Sequence, residues 1–182
     1  MFGEKNPEGR LPVTFYRTLE ELPAFTDYSM KGRTYRYMKQ EALYPFGYGL
    51  SYTDFVYSDA AVSSDTLGAD GIEVKAVVAN TGGREGTETV QVYVKADREG
   101  TPNAQLKGIQ KVTLQPGESR EVVIKLPVNA FALYDEQAVN RVGAGKYLVS
   151  IGGTQPESRS EKLTGKKVDV LSVTAAEEMV LA

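Results

Sequence analysis

The 182-residue sequence contains no histidine, no cysteine and no tryptophan. Without His or Cys, neither a Ser-His-Asp nor a Cys-His nucleophile can be assembled, and imidazole or thiolate zinc sites and disulfides are excluded too. Any chemistry would have to run on carboxylates, Lys, Tyr or Arg. An excess of one charge is also missing: 21 Lys and Arg stand against 24 Asp and Glu, and the signs are interspersed. That balance gives no footprint for nucleic acid. The longest aliphatic stretch lies near residues 76–79, far below the ~18 residues a membrane span requires. Residues 1–7 carry neither the basic start nor the apolar run of a secretory signal. Two small basic clusters, Lys31/Arg33/Arg36 and Lys162/Lys166/Lys167, read as solvated faces.

What is present is unevenly distributed. Of 17 Phe and Tyr, 13 fall in the first 57 residues, and only Tyr93, Phe131, Tyr134 and Tyr147 follow. The chain therefore divides into an aromatic-rich segment over 1–54, a second segment over 55–175, and a tail over 176–182.

In the second segment the pattern is period two, punctuated by turn residues. Ile72, Val74, Ala76 and Val78 alternate with Glu73 and Lys75. Val90, Val92 and Val94 form an inward row, with Thr89, Gln91, Tyr93 and Lys95 on the other face. A strand over 106–114 ends at the turn Gln115-Pro116-Gly117-Glu118, after which Val122, Ile124 and Leu126 alternate with charged residues. With 55–63, 147–151 and 164–173, about seven short strands result. The fold class is all-β, with the size and strand spacing of an immunoglobulin-like or fibronectin type III-like β-sandwich. Tyr147 opens a late strand after Gly143-Ala144-Gly145. It is either a corner tyrosine that holds a loop by its hydroxyl or a ring that packs alone.

Little regular pattern runs through the first segment. Residues 11–16 suggest a strand. Thr18-Leu19-Glu20-Glu21 fits a helix capping box, stopped by Pro23. Residues 44–52 suggest a tight loop with positive φ near Gly47 and Gly49. These pieces cannot enclose a core, yet the 13 aromatic side chains of residues 1–57, nearly all of them in this segment, carry ~2,000 Å² of surface at ~150 Å² each. The segment must lie on the sandwich, on a partner, or on protein beyond this chain. A strand without a sheet has free N–H and C=O groups, so 11–16 could also pair with a second copy and give a homodimer.

The 24 acids offer no convincing catalytic pair. Glu20-Glu21, Asp135-Glu136, Asp65, Asp70, Asp97 and Glu99 all read as solvated turn residues, and no metal ligand set or cofactor motif is found. Aromatic faces can stack on sugar rings, so a carbohydrate surface built from Tyr35, Arg36 and Tyr37, or from Tyr44 and Tyr48, is the rival to simple packing by the same residues.

Three stretches carry a family resemblance. Phe2-Gly3 with Asn6-Pro7-Glu8-Gly9-Arg10-Leu11-Pro12-Val13-Thr14-Phe15 is one. The second is Tyr44-Pro45-Phe46-Gly47-Tyr48-Gly49-Leu50-Ser51-Tyr52-Thr53. Leu106-Lys107-Gly108 with Leu114-Gln115-Pro116-Gly117-Glu118 and Gly152-Gly153 completes the set. Together they resemble glycoside hydrolase family 3, the β-glucosidase and β-xylosidase family, and residues 27–37 are closer to its β-xylosidase-like branch. The resemblance implies the last strand of an α/β sandwich domain, a linker, and a terminal fibronectin type III-like domain. It also implies a retaining mechanism whose Asp nucleophile and Glu acid/base stand upstream of the Arg10-Leu11-Pro12-Val13-Thr14-Phe15 strand. Neither has a counterpart here, so no catalytic residue is assigned. The expectation is a C-terminal structural module, inactive alone, whose partners are the upstream catalytic domains.

Overall fold

The computed structural model describes residues 5–181, so Phe2-Gly3 of the first motif lies outside the described residues. Two antiparallel sheets form the sandwich. One is made of β1 (Phe55–Val62), β2 (Ile72–Asn80) and β5 (Ser119–Leu126), in the order β1-β2-β5. The other is made of β3 (Gly86–Ala96), β4 (Gln105–Leu114), β8 (Gly145–Gly152) and β9 (Asp169–Ala175), in the order β4-β3-β8-β9. Three short strands, β6 (Leu133–Tyr134), β7 (Asn140–Val142) and β10 (Met179–Val180), pair as β10-β7-β6 at one end. The C-terminal tail thus contributes a strand.

The core follows the alternation in the sequence. Val74, Ala76 and Val78 of β2 and Val122, Ile124 and Leu126 of β5 face Val90, Val92 and Val94 of β3, with Val149 and Ile151 of β8 and Val173 of β9. Strands β2 and β5 bury alternate residues only, as a sheet with one wet face must. Strand β3 is different: Thr89, Gln91 and Tyr93, on the face away from the core, are buried as well.

Turn chemistry fixes the register. At the β4–β5 turn, Gly117 takes φ +77° and the Glu118 carboxylate accepts from Gln115 N at 2.8 Å, as the Pro-Gly pair requires. Buried Asn80 ends β2. Its Nδ2 donates to Arg84 O (2.7 Å) and Leu114 O (3.0 Å), and its Oδ1 accepts from Thr53 Oγ1 (2.6 Å) and Gly82 N (3.1 Å). Tyr147 is a corner tyrosine: its hydroxyl donates to Gly143 O at 2.8 Å while its ring meets Phe131 edge-on at 5.5 Å.

Four expectations are corrected. The strand expected over 164–173 is present as β9 (Asp169–Ala175) but starts later, and the residues ahead of it wind into an unexpected helix, α2 (Ser158–Thr164). Here the Glu157 carboxylate caps Ser160 N (2.6 Å) and Arg159 N (3.0 Å), and Gly165 at φ +69° ends the helix. The capping box at Thr18 is absent. Leu19–Glu21 is a single 3-10 turn, the Glu21 carboxylate reaches Arg17 N at 2.9 Å, and the Thr18 hydroxyl holds the Glu20 carboxyl below its ordinary range. Gly47 has positive φ, +78°, but Gly49 does not; its backbone passes so close to Gly9 O that a Cβ would collide. No regular strand forms over 11–16: Phe15 makes an isolated bridge to Tyr44, and backbone hydrogen bonds tie the segment to residues 43–48 of the same chain. Leu11 N donates to Tyr48 O and Phe15 N to Tyr44 O, both at 2.9 Å, while Gly47 N returns to Leu11 O and Leu43 N to Phe15 O, both at 2.8 Å. One edge of this segment is therefore already paired.

Candidate functional site

Residues 5–54 form a strap over the face of β3 that points away from the core. The fit begins with the polar residues that interrupt the Val90-Gln91-Val92-Tyr93-Val94 run. Gln91 Nε2 donates to Gly47 O (3.1 Å) and Gly153 O (2.8 Å), and its Oε1 accepts from the Tyr93 hydroxyl at 2.6 Å. Thr89 Oγ1 donates to Glu8 O at 3.0 Å. Phe46 lies edge-on to Tyr93, and Tyr35 stacks on Phe46 at 4.1 Å between centroids. Tyr35 sits on α1, a one-turn helix (Thr34–Tyr37), and its hydroxyl accepts from Leu106 N at 3.2 Å. Burial raises the Tyr93 phenol above its ordinary range. At Gly47 a Cβ would fall inside Gln91 Oε1 and the Tyr93 hydroxyl, so the strap lies this close only because the position is glycine.

A buried ion pair fastens the strap beyond the end of β8. Arg10 Nη2 is 2.6 Å from Glu88 Oε2, Arg10 Nε donates to Gly153 O at 3.3 Å, and the Tyr57 hydroxyl donates to Glu88 Oε1 at 2.8 Å. Desolvation raises the Glu88 carboxyl above its usual range, against the opposing pull of Arg10 and then of Tyr57. Asn6 closes the head of the strap on its tail, with Tyr52 N donating to its Oδ1 at 2.7 Å. On the far side, Arg159 of α2 donates to Leu43 O at 3.2 Å, and Lys162 pairs with Glu41 at 2.6 Å.

The outer face of the strap is the reverse. Phe25 is 94% exposed, Tyr28 90% and Leu19 81%, and Val13, Phe15, Leu22, Met30, Tyr44, Leu50 and Tyr52 are also exposed. The loop that carries Phe25 and Tyr28 nevertheless has a defined shape. Arg33 donates to Ser29 O (3.0 Å), Asp27 O (2.5 Å) and Ala24 O (3.2 Å), and Ser29 N donates to Asp27 Oδ1 at 2.8 Å. Phe15, Tyr44 and Tyr48 form a row of rings, edge-on at 6.3 Å and then stacked at 5.8 Å. Unpartnered apolar surface of this kind marks an interaction face.

The five candidate binding residues separate into two groups. Tyr35 points at the sandwich, while Arg36 and Tyr37 on the same turn are exposed. Tyr44 is exposed on the outer face, and Tyr48, stacked beside it, is half-buried. Asp135 sits in a turn, accepting from Val139 N at 2.8 Å and Gln137 N at 2.9 Å with Arg141 beside it, which together hold its carboxyl low. Among the described residues no group of three or more acids is placed to hold a metal ion. Arg10, Glu88 and Asn80 escaped the sequence reading; Gln91 and Glu88, polar residues in an apolar strand, were the available signal.

Two family models match the chain. The glycosyl hydrolase family 3 C-terminal domain covers residues 1–52, and the fibronectin type III-like domain covers 88–155. The chain belongs to glycoside hydrolase family 3. A xylan 1,4-β-xylosidase of Xylanibacter ruminicola is 41% identical over 90% of this chain and 19% of its own length. For a periplasmic β-glucosidase of Salmonella typhimurium the figures are 37%, 84% and 22%. Among solved structures, β-glucosidase 3B from Thermotoga neapolitana superposes with a TM-score of 0.80 at 34% identity, over 97% of this chain and 26% of that one. The chain thus spans about a fifth to a quarter of the family members it matches, corresponds to their C-terminal part, and ends in a fibronectin type III-like sandwich.

Proposed function

We propose that this chain is the bracing module of a retaining family 3 β-glycosidase acting on β-glucosides or β-xylosides, and that the outer face of the strap is its seat on the catalytic portion. The carrying observation is the asymmetry of the strap. Its inner face is committed to β3 by hydrogen bonds and ring contacts, whereas Phe25, Tyr28 and Leu19 lie on the outer face with almost nothing against them. A catalytic Asp and Glu belong, on this reading, to the partner, so the chain alone hydrolyses nothing.

The test is to mix the chain with a separately produced catalytic portion of a family 3 relative. Complex formation on size exclusion, weakened at least tenfold by the pair Phe25→Ser and Tyr28→Ser, is the expected result. Wild-type affinity in that variant, or turnover of aryl β-xyloside by the purified chain alone, overturns the reading. A second reading, carbohydrate held on the outer face, is favoured by the stacked Tyr44 and Tyr48. It requires saturable glycan binding that Tyr44→Ala removes. A homodimer through residues 11–16 would have to use their second edge, since the first is paired to 43–48. Light scattering that returns one monomer mass at every concentration rejects it.

A further inference from the structure

A cavity of about 460 Å³ lies between the strap and the sandwich, walled by Thr14, Tyr35 and Met38 on one side and Lys95, Asn103 and Gln155 on the other. Its size falls within the ~300–1,000 Å³ of small-molecule sites. We propose that it binds a small neutral polyol of the pyranose type, with Gln155 as the central contact.

The argument starts from hydrogen bonds that are not made. Gln155 is only 7% exposed, yet its side-chain amide has no hydrogen-bond partner among the described residues. An unsatisfied buried amide costs ~1–3 kcal/mol, so a folded chain retains one only where something else meets it. Thr14 Oγ1 is the one completely shielded side-chain polar atom without a partner among the described residues. The Gln155 amide therefore keeps accessible surface, and Gln155 lines the cavity. Thr14 stands in the same wall, and a χ1 turn exchanges its methyl for its hydroxyl with no hydrogen bond lost. Asn103 donates from Nδ2 to Tyr35 O (2.9 Å) and Met38 O (2.8 Å), which leaves its Oδ1 without a donor.

The inventory selects the ligand class. Lys39 and Lys95 in the wall make no ion pair among the described residues, while the acids there are occupied: Glu41 pairs with Arg17 and Lys162, and Glu157 caps α2. The open groups are thus donors (Lys39, Lys95, Gln155 Nε2) and acceptors (Gln155 Oε1, Asn103 Oδ1) side by side, with Gln40 and Ser158 able to do both. An anion offers acceptors only, and would leave both amide oxygens unmet. Vicinal hydroxyls donate and accept together, and Tyr35 and Met38 supply an apolar flank for the CH edge of a ring. This inference does not depend on the outer face of the strap.

The experiment is a ¹⁵N-correlation titration of the full chain with methyl β-D-xylopyranoside, methyl β-D-glucopyranoside and their β-1,4-linked disaccharides. Saturable movement of the Gln155 side-chain amide pair at millimolar sugar is expected. Gln155→Met, which keeps the volume and removes the amide, should weaken binding at least tenfold while the rest of the spectrum is unchanged, and Thr14→Val should weaken it several-fold. Tyr44→Ala should leave the titration as it was. No saturable shift up to tens of millimolar overturns the proposal. So does an equal response to sodium acetate or phosphate, or unaltered binding by Gln155→Met.

Discussion

Removing Arg10 tests how the strap is fastened, and the structure bounds the cost. In Arg10→Ala the Glu88 carboxylate stays beside Tyr57 in a desolvated site with no cation against it. A buried charge stripped of its partner costs ~3–5 kcal/mol if it remains charged. Glu88 has a cheaper escape, because it can take a proton. From its ordinary value of 4.5 up to pH 7, at ~1.36 kcal/mol per unit, protonation costs about 3.4 kcal/mol, and that is the ceiling for the electrostatic loss. The ceiling falls by about 1.4 kcal/mol for each pH unit removed. Its sign follows from the raised carboxyl. The native state holds this proton at pH values where the unfolded chain has released it, so acidification above 4.5 stabilises the native state, and more so in the variant. Urea unfolding followed by far-UV circular dichroism between pH 8 and pH 5 should show a gap of about 3 kcal/mol near neutrality that narrows steadily towards acid. Glu88→Gln can still accept from Arg10 and donate to the Tyr57 hydroxyl, so at pH 7 it should cost less than Arg10→Ala. A gap independent of pH, or a Glu88→Gln variant as unstable as Arg10→Ala, would refute the reasoning.

Gly47→Ala should destabilise the chain by about 2–3 kcal/mol in the same urea assay, through positive φ and the collision with Gln91 and Tyr93. The chemical shifts of Tyr93 and Gln91 should move before those of β2 or β5. Tyr147→Phe removes the hydroxyl from Gly143 O but keeps the contact with Phe131, and should cost about 1 kcal/mol. A loss under ~0.3 kcal/mol would show that the ring alone carries the corner.

Seven strands were legible because a one-sided sheet writes period two into its sequence, and β2 and β5 keep that period without a break. Helix α2 was not, because seven residues give under two turns, too few for a helical period to stand out. The signals at its ends, Glu157 and Gly165, were local and needed no period. The strap announced itself only as a surplus of rings without a core. Which rings turn inward depends on β3: Phe46 finds Tyr93 across 47 residues of chain, Tyr35 stacks on Phe46, and no local pattern encodes that meeting. Arg10 and Glu88, 78 residues apart, are brought together in the same way. The candidate ligand cavity was invisible for a further reason: Gln155 is notable for the bond it does not make.

The covering of β3 bears on where this protein can be cut. Composition divides the chain near Asp54 and Phe55, yet Gln91, Thr89 and Glu88 all find partners on the amino-terminal side of that line. A truncation beginning at Phe55 would expose the Tyr93 ring and leave Glu88 without its guanidinium. The unit that unfolds together is therefore larger than the unit that sequence similarity to a fibronectin type III-like domain outlines. Transplanted into another protein, this sandwich would have to take its strap with it.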